Sequence, residues 1–268
     1  MCRLFGMLSQ REASPVKWLV EDDCSLLAQS DGDKARLQKD GWGMAHFKGK
    51  ARRMVLSTGA VFEEKERFKA VSESFGGNAV VAHIRKASNP LKLPQKDLMI
   101  PENLQPFMAE GWAFIHNGTL NDPKGAEKML GDYRDCIGGT NDSEVLFWHF
   151  IKAHDESKDA PSALRLMESR IAKCRPKGGE AYTALNLIVT NGKEMHAYCK
   201  FTAQPKKFPK SICLGKQGTY NMCYTMEKGK VIVMSEMSNR SKGWKMMENG
   251  DILSAKIVKG KIQLKLIS

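Results

Sequence analysis

Long apolar runs are missing from this 268-residue chain. No stretch approaches the ~18 residues a membrane-spanning helix needs, and the N-terminus lacks the basic-then-apolar layout of a secretory signal. A cytoplasmic protein is the expectation. None of the seven cysteines (Cys2, Cys24, Cys136, Cys174, Cys199, Cys213 and Cys223) forms a C-x-x-C pair, and their spacing suggests no zinc site. Scattered cysteines of odd number in such a compartment are expected as reduced thiols. Six of them read as small buried hydrophobes or incidental surface residues. No Pro/Ser/Gly-rich linker and no repeat of solenoid period divides the chain, so one domain over residues 1–268 is expected.

Acidic residues are also short in number, with 30 Asp and Glu against 42 Lys and Arg, a formal charge of +12. Such a balance invites a nucleic-acid reading. The basic residues are spread along the chain, however. Their densest clusters, Lys206-Lys207-Lys210 and Lys256-Lys259-Lys261-Lys265, fall in an apparent loop and on alternating strand positions. There is no basic tail and no aromatic-basic motif of the RNA-recognition type. A solvated basic surface is the better reading, with a weak pull on acidic partners. Neither nucleic acid nor membrane is an expected partner. The 42% hydrophobic content is enough for a substantial core.

The periodicity runs strands, helices, strands. RLFGMLS reads as a strand, and GWGMAHF and RRMVLSTG form a hairpin about Lys48-Gly49-Lys50. FEEKERFKAVSESF spaces Phe62, Phe68, Val71 and Phe75 helically and stops before Gly76-Gly77. NAVVAHIR is a buried strand, and GWAFIHNG is a strand running into an Asn-Gly turn. Asn141 or Asp142 caps a helix whose apolar side carries Val145, Trp148 and Ile151. PSALRLMESRIAKC is a second helix. A hairpin about Asn191-Gly192 follows, then GKVIVMSE and DILSAKIVKGKIQLKLI as further strands. The expectation is an α+β layered protein in which two sheets face each other between helices.

Four short segments carry candidate chemistry. Cys2 follows Met1, and a small second residue generally permits removal of the methionine. Removal leaves a thiol and a free α-amine on one residue, a nucleophile with its own base; a tolerated cysteine is the plainer reading. In Ala82-His83-Ile84-Arg85-Lys86-Ala87-Ser88 a strand ends in an arginine whose planar fork suits a carboxylate, with the Ser88 hydroxyl close by. An exposed arginine and a satisfied core His83 are the plainer readings. In His116-Asn117-Gly118 the Asn117 amide and the Gly118 N–H can face a developing oxyanion, or simply form a turn. In Gly138-Gly139-Thr140-Asn141-Asp142-Ser143-Glu144 the Asp142 carboxylate can accept from an ammonium group or sit in the acidic first turn of a helix. Taken singly, each plain reading wins.

Taken together and in this order, they resemble the class II, N-terminal-nucleophile glutamine amidotransferases. Cys2, HIR at 83–85 with Ser88, HNG at 116–118 and NDSE at 141–144 match that family's segments, and Asp40-Gly41-Trp42-Gly43 is similar to its DGWG. MCRLFGM, VVAHIRKAS, ENLQPF and GWKMMENGDIL resemble the stand-alone members. The resemblance implies a four-layer αββα sandwich. It implies that the Cys2 thiolate attacks a γ-glutamyl amide to give a thioester, with the Cys2 α-amine as base and then acid. It implies Asn117 and Gly118 as oxyanion donors, Arg85 on the substrate α-carboxylate, Asp142 on its α-ammonium, and no metal or cofactor. Lys86 stands where synthase-linked members have an aromatic residue, Ser88 where they have Thr, and Gln105 where some stand-alone relatives have His. The 268 residues are expected to be spent on this one unit, without the acceptor domain of the synthase-linked members. Either ammonia passes to a separate ammonia-using synthase subunit, or a γ-glutamyl peptide or amine is hydrolysed outright. A catalytically silent binding member of the fold is the reading from another class.

Overall fold

Arg3–Ala13 carries two alternating apolar sets, Leu4 and Leu8 on one side and Phe5 and Met7 on the other, and both are buried. A strand covered on both faces has to lie inside a stack of layers. The computed structural model, which describes residues 1–215 and 217–268, has that stack. Its strands are β1 (Arg3–Ala13), β2 (Trp42–Lys48), β3 (Ala51–Ser57), β4 (Gly77–Ile84), β5 (Phe107–Ala109), β6 (Trp112–Leu120), β7 (Tyr182–Thr190), β8 (Glu194–Tyr198), β9 (Cys223–Glu227), β10 (Lys230–Met234), β11 (Lys245–Met246), β12 (Ile252–Val258) and β13 (Lys261–Ile267). Its α-helices are α1 (Ala28–Asp31), α2 (Lys65–Ser74), α3 (Gln95–Leu98), α4 (Pro123–Lys128), α5 (Asp142–Ser157) and α6 (Ala160–Ile171).

One sheet runs β11-β9-β10-β1-β4-β2-β3 and the other β13-β12-β8-β7-β6-β5, with antiparallel neighbours. They face each other across Leu4, Leu8, Phe47, Val81, Ile115, Ile188 and Val233. Each such side chain contributes roughly 1.5–3 kcal/mol on burial, so this seam is a major source of stability. Gly6 lies in it, and a Cβ there would come within 2.9 Å of Ile188 and Met195. Phe68 and Phe75, from α2 and its end, cover the outer face of the first sheet with Trp18 and Leu19. Leu146, Phe147 and Phe150 of α5, with Leu164 and Met167 of α6, cover the outer face of the second. The order of layers is therefore αββα.

β1 sits in the middle of its sheet, between β10 and β4. The residue before it, Cys2, thus begins on a rigid support. The helix at 142–157 is capped by the Asn141 side chain, which accepts from Ser143 N at 3.0 Å. Its buried side is broader than the Val145–Trp148–Ile151 stripe, and Trp148 is only half-buried. Asn117-Gly118 is not a turn. Both residues lie inside β6, opposite Asn186 and Leu185 of β7, and the register shifts just afterwards, between Gly118 and Leu120. No described helix is long and apolar enough to cross a membrane.

The cysteines need a correction. Cys24 and Cys213, expected as free thiols, form a disulfide across 189 residues, with Cα atoms 5.8 Å apart. Spacing carries no trace of this bond, because it joins two loops that only the finished fold brings together. Closing so long a loop restricts the unfolded chain, an effect of about 5 kcal/mol. Cys24→Ser is expected to lose about that much. Urea unfolding with and without reductant tests it: the reductant should shift the wild type and leave the variant where it is.

Candidate active site

The ends of β1, β4 and β6 meet at one edge of the sandwich. Cys2 is buried there, and its backbone N–H donates to Asn117 Oδ1 at 3.0 Å. That contact occupies Oδ1, and the Asn117 Nδ2 hydrogens have no partner among the described residues. Lys86 N donates to Cys2 Sγ at 3.3 Å. Burial pushes the Cys2 thiol above its ordinary range, while the nearby N-terminal amine, the Lys86 N–H and Arg85 pull it back. A cavity of about 130 Å³ opens over the sulfur, lined by Met1, Cys2, Lys86, Ala87, Ser88, Asn117, Gly118, Thr119 and Tyr220. Cys2, Ser88, Asn117 and Gly118, far apart in sequence, therefore share one wall.

Arg85 and Asp142 do not line that cavity. Each is buried close enough for its charge to act on the Cys2 thiol and on the other. Arg85 Nη1 donates to the Leu98 carbonyl at 2.8 Å. Asp142 Oδ2 accepts from Leu120 N at 2.7 Å. Burial lifts this carboxyl to about 6, against its backbone hydrogen bonds and Arg85. Asp142 also lines a neighbouring cavity of about 120 Å³ with Leu91 and Thr140. Glu144 holds the preceding loop, accepting from Gly138 N and Gly139 N at 2.9 and 2.8 Å.

Asp40-Gly41 is the brace for Arg85–Ala87. Arg85 N donates to Gly41 O at 2.8 Å, Asp40 N to Arg85 O at 3.2 Å, and Ala87 N to Asp40 Oδ2 at 2.8 Å. Gly41 has φ +108°, a conformation that favours glycine. The DGWG segment was visible in the sequence, but nothing there gave it this task. Thr119 and Tyr220 also carried no signal, Tyr220 because it arrives on the long β8–β9 connection. Asn186 Nδ2 holds that connection through the Tyr220 carbonyl at 2.5 Å.

His116 and His83 are structural neighbours of the site. His116 Nε2 faces the Ala184 carbonyl at 3.1 Å, which can only accept, so Nε2 carries the hydrogen and Nδ1 accepts from Ser143 Oγ at 2.9 Å. Burial lowers its pKa to about 4. His83 is buried too, lowered to about 3, and neither ring nitrogen has a well-formed hydrogen bond among the described residues. Its one contact with hydrogen-bonding character among the described residues is with the His116 backbone.

Gly118 is needed for a reason besides close approach to a ligand. A Cβ there would run into the Ala184 carbonyl of β7 and come within 2.7 Å of His116 Nε2. Backbone cannot yield as a flexible side chain does. Gly118→Ala is expected to cost about 3 kcal/mol and to lower the thermal midpoint by several degrees; a wild-type melting curve would contradict this.

Among the described residues, one group of side chains has metal-ligand proximity: Cys24, Cys213 and Glu236, with ligand atoms within 4.8 Å of one another. Its donors are already committed. The two sulfurs are joined, and the Glu236 carboxylate accepts from three backbone N–H groups of residues 212–214. A larger hollow of about 730 Å³, lined by Lys50, Arg52, Asn191 and Lys193 among others, lies at the β2–β3 and β7–β8 turns. That is the opposite end of the strands from Cys2, and it holds none of the candidate site residues.

A cysteine leading the central strand of two facing antiparallel sheets, with helices outside both, has the fold of the N-terminal-nucleophile amidotransferases. The family model of the class-II glutamine amidotransferases matches residues 1–265, and the chain belongs to that family. YafJ of Escherichia coli (strain K12), whose name assigns it to the glutamine amidotransferases, is 27% identical over 210 residues, 74% of this chain and 73% of YafJ. Among solved structures, a class-II domain protein from Silicibacter pomeroyi superposes with a TM-score of 0.63 at 15% identity over 98% of each chain. The glutamine phosphoribosylpyrophosphate amidotransferase of B. subtilis gives a TM-score of 0.62 at 16% identity, over all of this chain and 49% of that one. These two likenesses are likenesses of fold.

Proposed function

We propose that this class-II amidotransferase unit cleaves the side-chain amide of a γ-glutamyl group through a Cys2 thioester. After Met1 is removed, the α-amine of Cys2 takes the thiol proton and the sulfur attacks the amide carbon. Asn117 Nδ2 and the Gly118 region receive the charge on the carbonyl oxygen; one such donor is worth about 3 kcal/mol of barrier. The C–N bond breaks as the ammonium of Cys2 returns the proton to the leaving nitrogen. Water then hydrolyses the thioester, releasing a γ-glutamyl carboxylate and restoring the thiol. Arg85 and Asp142, a buried cation and anion beside the cavity, suit the α-carboxylate and α-ammonium of the glutamyl end, and Ser88 adds a hydroxyl.

The observation that carries this reading is the 3.0 Å contact from Cys2 N to Asn117 Oδ1. It supports the reading because the Cys2 nitrogen and sulfur and the Asn117 amide lie beside one cavity. Purified protein lacking Met1 is expected to release ammonia from glutamine or an amine from γ-glutamyl amides. Acid quenching during turnover should trap a mass increase of one γ-glutamyl group on the N-terminal peptide. Absence of both signals with a panel of γ-glutamyl amides rejects the proposal.

A further inference from the structure

A second cavity, of about 230 Å³, lies next to the one over Cys2. Met1, Lys86 and Tyr220 line both. Asn117 and Ser88 line only the first; Arg3, Arg36 and Phe208 line only the second. Met1 therefore forms part of the wall of both lobes, and removing it is expected to open one toward the other.

The second lobe is cationic. Arg3, Arg36 and Lys86 line it and no carboxylate does. Arg3 is 1% exposed, yet its Nε and Nη2 have no hydrogen-bond partner among the described residues. A buried guanidinium with open donors is costly unless an anion reaches it. The carboxylates nearby are engaged elsewhere. Glu236 accepts from Ile212, Cys213 and Leu214 N at 2.7–3.1 Å, and Asp33 pairs with Arg36 at 2.7 Å. The other Arg36 nitrogens donate to the Lys210 and Ser211 carbonyls, so Arg3 carries the open donors of this lobe. Gln38 Oε1, also in this wall, is a buried acceptor without a partner. The Arg36 guanidinium lies 5.1 Å over the Phe208 ring, which adds a flat apolar surface beside the charge.

We infer that the second lobe receives the amine half of the substrate and that this half carries a carboxylate: the preferred substrates are γ-glutamyl amino acids rather than glutamine. The inference rests on the amidase reading above. With the glutamyl end among Asn117, Ser88 and the Arg85–Asp142 pair, the leaving nitrogen points into the space Met1 vacates. A group attached to that nitrogen then extends toward Arg3 and Arg36. Glutamine, whose leaving group is ammonia, leaves this lobe empty.

The test uses the full chain with Met1 removed and three compounds: γ-glutamylglycine, γ-glutamylglycinamide and glutamine. γ-Glutamylglycine is expected to exceed its neutral glycinamide analogue by about tenfold or more in kcat/KM, the effect of a charge-assisted hydrogen bond. Arg36→Gln should bring the ratio of the two toward one, chiefly through KM. Arg36 is the residue to change first, because it is half-buried outside the sheets, whereas Arg3 is embedded in β1. Equal cleavage of the charged and neutral compounds, or an unchanged ratio in both Arg36→Gln and Arg3→Gln, overturns the carboxylate site and leaves the amidase reading standing. No cleavage of any of the three overturns the amidase reading, and the inference falls with it.

Discussion

Cys2→Ala protein is expected to fold normally and to release no measurable amine from any γ-glutamyl amide. The site has one thiol at the cavity, and the other free cysteines do not line it. Loss of a nucleophile in comparable hydrolases removes about 10⁴-fold or more of kcat. The fold has little to lose: the alanine takes away one buried sulfur, a cost of about 1 kcal/mol, while the N–H to Asn117 and the β1 pairings involve backbone. The measurement is paired: amine release and thermal midpoint on the same preparation. Activity near the wild-type level in Cys2→Ala would remove the nucleophile from the account. Loss of both activity and cooperative unfolding would mean that Cys2 supports the fold, and Cys2→Ser, closer in size and polarity, would then separate the two roles.

Much of this architecture was legible in the sequence because local pattern and final packing agree. RLFGMLS and NAVVAHIR are buried on both faces, and their composition says so. The helices over 65–74 and 142–157 announce themselves by spacing and by Asn141. The order of the segments around Cys2, Arg85, Asn117 and Asp142 pointed to the family. The failures share one physical cause. Asn117-Gly118 has the composition of a turn, yet cross-strand pairing with Asn186 and Leu185 keeps it extended; tertiary context outweighed the local preference. The Cys24–Cys213 bond, the Tyr220 wall and the brace from Asp40 to Ala87 are all contacts between distant segments. Such contacts leave no period and no spacing to read. Strands β5 and β11, of three and two residues, are too short to show alternation at all.

Blocking the removal of Met1 is expected to cut the activity by about 10²–10⁴, short of what losing the thiol costs. A lysine inserted between Met1 and Cys2 would do this, since it puts a bulky residue where trimming needs a small one. The Cys2 nitrogen then stays an amide with no basic lone pair, and loss of a general base alone costs about 10²–10⁴ in rate. The retained residues would also keep the two lobes apart. Burial lowers the Met1 amine of the untrimmed chain, and in the trimmed form the Cys2 amine lies against Asn117 Oδ1. The sign of the pH dependence follows. Acidification protonates the amine and removes the base. It also protonates Asp142, lifted to about 6 by burial, and removes the anion proposed to hold the substrate ammonium. Both losses act in one direction, so kcat/KM should fall as pH drops through about 6. Intact mass fixes whether Met1 is present, and the pH profile is then taken on the trimmed form. Full activity in the untrimmed chain, or a rate that stays level down to pH 5, would assign the proton transfer to a different group.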